Sequence, residues 1–221
     1  MVVIYFLIIV ISVCCYFYVM SIYKKYKNAT VTSNKTGLDT AREILMANGL
    51  ASMYVIETKG NLSDTYESGQ KVIKLSTDVY HNASISSVGI SAHQAGHAIQ
   101  DKEQDNLIKL REVIYPLVRF ANFMAYILFL VSLILGLDNG LSLSAAILLL
   151  GIIADAAIIP VELDANKKAM ANIKNLNICT DQELKELNIL LQSYSIINLG
   201  GIAIDLVNLY YYIVNEINKR R

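Results

Sequence analysis

Two apolar runs, Phe120–Leu137 and Leu141–Val161, follow one another almost without a break. Each is long enough for a helix to cross the hydrocarbon of a bilayer at about 1.5 Å per residue. Asp138-Asn139-Gly140 between them reads as a tight turn, so the pair is expected to form a hairpin. Met1–Tyr23 is a further run, the first in chain order before these second and third ones, and carries no charged side chain. It lacks a basic leading segment and an A-x-A cleavage site, and so reads as a retained anchor, not a signal peptide. Ser195–Val214 is a weaker fourth run, diluted by Asn198, Asp205 and Asn208. Any one of these could be a buried core helix. Together, in a chain of 221 residues, they point to membrane insertion.

The positive cluster Lys24-Lys25-Tyr26-Lys27 follows the first run directly. By the positive-inside rule the N-terminus lies outside and residues 24–119 lie in the cytoplasm. The hairpin then returns the chain to the same side, which makes Glu162–Gln192 cytoplasmic as well. The C-terminal Lys219-Arg220-Arg221 opposes this assignment if Ser195–Val214 spans fully. The 19 acidic and 19 basic residues balance, which gives no reason to expect nucleic acid as a partner. Cys14, Cys15 and Cys179 make neither a disulfide framework nor a cysteine zinc pattern.

Within the polar portion, Leu38–Asn48 reads as a helix stopped by Gly49. Ser52–Thr58 and Lys71–Ser76 alternate and read as short strands. Lys27–Lys35 reads as a polar linker. Ser84–Gln100 follows with apolar residues at a 3.6 period (Ile85, Val88, Ala92, Ile99) and small residues around His93 and His97. Two histidines four apart on a helix place both imidazoles on one face, the spacing of the zinc-binding H-E-x-x-H motif. Here the position of the glutamate base is taken by Gln94, an amide that cannot accept a proton. The bland alternative is a helix with two hydrogen-bonded histidines. His81 reads as a loop or capping residue.

A metal on His93 and His97 needs a third ligand from a later helix on the same side of the membrane. Pro160-Val161-Glu162-Leu163-Asp164-Ala165-Asn166 sits at the end of the third run. Pro160 is expected to kink the chain, and Glu162 to start a helix. Glu162 is the favoured ligand. Asp164 is the alternative ligand, and Asp164 and Asn166 are also placed to orient an imidazole. Glu162 otherwise reads as a capping acid at a membrane boundary. Asp155 lies two turns before Glu162 and is expected to pair with Arg119. Tyr194 and Tyr210–Tyr212 read as interfacial anchors, with Tyr194 as a candidate to steady an oxyanion.

Leu75-Ser76 with Val79-Tyr80, then Ala92–Gln100, then Pro160–Ala165, resemble the YugP-like family of neutral zinc metallopeptidases, multi-pass bacterial membrane proteins. The resemblance runs over nearly the whole chain. It implies one zinc ion per chain on His93, His97 and Glu162, and a glutamate at position 94 in an active member. The expected architecture is mainly α: a multi-pass helical membrane protein with a small α+β, zincin-like cytoplasmic portion. Residues 1–23 form the anchor and 24–119 the zincin-like segment with the His helix. Residues 120–161 form the transmembrane hairpin. Residues 162–221 form the ligand-bearing helix and a C-terminal amphipathic or transmembrane helix. The expected activity is peptide-bond hydrolysis by zinc-activated water, neutralised at Gln94. The alternative is an inactive zinc-binding adaptor or peptide-binding pseudoprotease. The expected partners are a peptide or protein substrate, the bilayer and membrane-protein subunits.

Overall fold

Thr36 opens the first helix of the polar portion with a capping box. Its side chain accepts from the backbone N–H of Asp39, and the Asp39 carboxylate reaches back to the backbone N–H of Thr36. The helix is α2, Gly37–Ala47, preceded by α1 at residues 17–27. α2 buries Ala41, Ile44 and Leu45 on one stripe. It ends in a Schellman turn: Gly49 adopts φ +69, and the Leu50 N–H donates back to the Leu45 carbonyl at 2.8 Å. The computed structural model describes residues 14, 17–60, 63–104 and 106–193. Within them the chain is mainly helical with one three-stranded sheet.

The strands are β1 (Tyr54–Thr58), β2 (Thr65–Glu67) and β3 (Val72–Ser76), in the order β1-β3-β2. β3 pairs parallel with β1, Val55 opposite Ile73, and antiparallel with β2, Tyr66 opposite Ile73. Its central place shows in its burial: Val72, Ile73, Leu75 and Ser76 are all buried, whereas β1 exposes Tyr54 and Ile56. The short α3 (Thr77–His81) leads from β3 to α4 (Ile85–Lys102). Ser84 caps α4 through the Ser87 N–H. His81 is thus the last residue of a helix, and it faces Glu57 at 3.3 Å.

The segment read as a linker is held at both ends. Thr30 bridges Ser84, Ile85 N–H donates to the Ala29 carbonyl at 2.8 Å, and Thr32 donates twice to Glu183. Glu183 lies in α7, residues 181–193.

Two long helices complete the described chain: α5, Asn106–Leu135, and α6, Asp138–Asn175. The turn between them is not the expected Asp138–Gly140, which opens α6. Gly136 supplies the left-handed residue at φ +67, and the Leu137 N–H closes a Schellman turn on the Ser132 carbonyl at 2.9 Å. Gly140 answers a different need, since a Cβ there would lie 2.1 Å from Ser132 Oγ. Helix α6 also continues through Pro160, so Glu162 lies inside a helix and does not begin one.

The chain divides into two compact units. One comprises residues 18–112 and 160–195, and its core gathers Ile44, Leu45, Ile73, Leu75, Ile99, Ile173 and Leu187. The other includes residues 113–159, where Ala125, Phe129, Leu141, Ala145 and Leu148 are buried. Arg111–Ser132 and Asn139–Asn175 are long and apolar enough to cross a membrane. Most of the first run and all of the fourth lie outside the described residues.

Candidate metal centre

Small residues on α4 set up the site by letting another helix come close. At Gly96 a Cβ would lie 2.5 Å from the backbone oxygen of Ala165, so α4 and α6 meet there main chain to main chain. His97 is adjacent to this crossing, and Glu162 lies three residues before Ala165, on the same face of α6. Two His on one helix and a carboxylate on the other are thereby brought together.

His93 Nε2 lies 3.1 Å from Glu162 Oε2 and 3.2 Å from His97 Nε2, and His97 Nε2 lies 3.6 Å from the same Glu162 oxygen. Four ligands placed tetrahedrally about 2.0–2.1 Å from zinc stand about 3.3 Å from one another. The three atoms therefore mark three corners of a zinc-sized tetrahedron.

The protons can be traced from the outer partners. The Gln100 amide nitrogen donates to the Val161 carbonyl at 2.9 Å and to Asp164 Oδ2 at 2.8 Å, which turns its oxygen toward His97 Nδ1 at 2.9 Å. Likewise Asn166 donates to the Leu191 carbonyl at 3.3 Å and turns its oxygen to His93 Nδ1 at 2.8 Å. Each Nδ1 must then carry the hydrogen, and each Nε2 presents a lone pair. Two nitrogen lone pairs and a carboxylate oxygen converging without a proton repel one another, and a cation removes that conflict. This donor set fits zinc.

Electrostatics agree. Burial lowers the His97 pKa to about 4, with the charge of Arg111 acting the same way and Glu162 opposing, so the ring stays neutral, the form that ligates. Glu162 Oε1 accepts from Arg111 Nε at 2.8 Å. Gln94 is buried, and its Oε1 has no hydrogen-bond partner among the described residues. Burial pushes the Cys179 thiol up to about 12, which leaves it protonated and unreactive.

Of the residues singled out in the sequence, His93, His97 and Glu162 meet directly. Asn166 bonds His93, and Asp164 reaches His97 through Gln100. Tyr194, Asp205, Tyr210–Tyr212 and the side chain of Arg119 lie outside the described residues. Two participants were not foreseen. Gln100 could have been, as a polar residue one turn after His97 on the same helix face. Arg111 carries no local signal, because only the tertiary fold brings it to Glu162.

A family model described as "Putative neutral zinc metallopeptidase" matches residues 1–216. The chain is 31% identical over 204 residues to "Putative membrane protease YugP" of Bacillus subtilis (strain 168), covering 92% of this chain and 91% of that protein. No solved structure matches it significantly.

Proposed function

The chain belongs to the neutral zinc metallopeptidase family, and from that premise we propose a membrane-integral peptidase site that holds one zinc ion on His93, His97 and Glu162 and has lost its general base at Gln94. The observation that carries this reading is the convergence of three proton-free ligand atoms at 3.1–3.6 Å, with both Nδ1 atoms tied to amide oxygens. Zinc, when bound, supplies Lewis-acid activation of water and of a scissile carbonyl.

The protein's own groups do the rest. Asn166 and Gln100 hold the imidazoles in the ligating tautomer, and Asp164 holds Gln100. Gln94 can hydrogen-bond a water or a substrate group through its unpartnered oxygen, but it cannot take a proton and pass it to the leaving amine. General acid–base catalysis contributes on the order of 10²–10⁴-fold, so hydrolysis falls by that factor. An edge of the three-stranded sheet offers main-chain hydrogen bonds to an extended peptide. Residues 113–159 form the membrane hairpin, and the site faces the cytoplasm.

The test is metal content and peptidase activity of Gln94→Glu beside the unsubstituted protein. Both are expected to carry about one zinc per chain, and Gln94→Glu to be on the order of 10²–10⁴-fold more active. A metal-free parent beside a zinc-loaded Gln94→Glu protein would overturn the separation of ligand and base. For sidedness, single cysteines at Gln70 and Lys174, in a background without native cysteines, are expected to resist a membrane-impermeant thiol reagent in intact cells. Labelling of both would place the site outside.

A further inference from the structure

Glu162 has two carboxylate oxygens, and only one faces the histidines. Oε2 lies 3.1 Å from His93 Nε2 and 3.6 Å from His97 Nε2, while Oε1 accepts from Arg111 Nε at 2.8 Å. A carboxylate can bind a metal through one oxygen or chelate it with both. Chelation here would raise the protein ligand count from three atoms to four and fill the position that a hydrolytic site keeps open. Whatever engages Oε1 therefore decides which site is made.

We infer that Arg111 is a positioning residue, which holds Oε1 so that Glu162 is a one-oxygen ligand; the inference rests on the zinc reading above. A guanidinium close to a divalent cation is electrostatically adverse, so its contribution must come through geometry. Its Nε–H sits in a planar fork that matches a carboxylate, which an ammonium on a flexible stem does not reproduce. The neighbouring Glu112 fixes this turn of α5 to the sheet, accepting from the backbone N–H of Ser68 at 2.5 Å. The side chain of Arg111 is itself only 19% exposed, beside a Glu162 side chain at 11%.

The experiment uses the full chain in detergent, loaded with cobalt(II) as a spectroscopic substitute for zinc. Four-coordinate cobalt absorbs more intensely in its d–d bands than five-coordinate cobalt. In Arg111→Met, Oε1 is released, and the band intensity is expected to fall as the second oxygen binds. Zinc affinity, read by competition with a chromophoric chelator, is expected to rise by on the order of 10-fold, because the variant gains a ligand oxygen and loses an adverse positive charge. Arg111→Lys keeps the charge without the fork and is expected to show the same change in smaller measure. If Arg111→Met does not fold, Arg111→Lys carries the test alone. A folded Arg111→Met with the parent's spectrum and affinity overturns the inference, as does an Arg111→Lys protein indistinguishable from the parent. A parent that binds neither cobalt nor zinc would instead remove the zinc reading itself, an outcome separate from a parent and variant that bind metal identically.

Discussion

In residues 18–112 and 160–195, most buried polar groups are matched to one another; among the described residues Thr40 Oγ1 and Gln94 Oε1 are the exceptions. His97, Gln100, Asp164 and Lys168 run as one connected series, and Tyr66 and Lys71 both donate to the buried Asp101. Residues 113–159 differ in their surface. Val113, Leu117, Phe120, Ile134 and Leu150 are more than half exposed. Water would penalise so wide an apolar surface, and lipid would not. The same two helices, α5 and α6, contribute residues to both units. A helix satisfies its backbone internally in either solvent, so the backbone need not register the change and the side chains do.

The largest expected effect lies where three ligand atoms converge without a proton. Glu162→Gln is expected to reduce bound zinc from about one per chain to nearly none, and His97→Ala to do the same. Asp164→Asn acts only through Gln100 and is expected to weaken zinc about 10–100-fold. Chelator competition on the purified proteins ranks them. A larger loss at Asp164 than at Glu162 would move the ligand.

Glycine gives the sharpest direct comparison between the units, because the same substitution meets different obstacles. A Cβ at Gly96 would sit 2.5 Å from a backbone oxygen, whereas at Gly151 it would sit 2.2 Å from the end of the Asn122 side chain. The backbone of α6 cannot move without disturbing Glu162, but the Asn122 amide can rotate. Gly96→Ala is expected to destabilise by about 1–3 kcal/mol and to weaken metal binding. Gly151→Ala, which gains about 1 kcal/mol of helix propensity, is expected to be near neutral. Thermal unfolding in detergent compares the two, and equal losses would remove the contrast.

Sequence patterns exposed the elements whose information is local. The His helix with Ser84 before it, α2 with Gly49 after it, and the two parallel strands all fall within two residues of their expected ends. Strand β2 escaped because Thr65-Tyr66-Glu67 is too short to show alternation, and it pairs only because β3 is already buried beside it. The hairpin turn was misplaced because Asn139-Gly140 mimics a turn signal that Gly136 in fact supplies. At the site, the ligand spacing was legible on α4 and α6 separately. The Arg111 contact was not, since it joins residues 51 apart in sequence.

The smallest expected effect concerns Glu183, which ties the segment after α1 to the start of α7. Its Oε1 accepts from Thr32 N–H at 2.6 Å and Thr32 Oγ1 at 2.7 Å, and its Oε2 accepts from Thr180 N–H at 2.7 Å. Both oxygens face a backbone N–H, so Glu183→Gln must turn its amide nitrogen toward one of them. The loss is expected to be about 1–2 kcal/mol at neutral pH. Burial alone would raise the carboxyl's pKa, but the donors of Thr180 and Thr32 outweigh it and hold it below the ordinary glutamate range. A group depressed in the folded state stabilises fully above its unfolded pKa, and that contribution disappears as pH falls through the folded one. The stability gap between the parent and Glu183→Gln should therefore be constant at neutral pH and close progressively below about pH 4.5. Every other group is shared by the two proteins, so the difference between them isolates Glu183. A gap that stays constant down to pH 3, or widens, would mean that the carboxylate's charge is not what secures this segment.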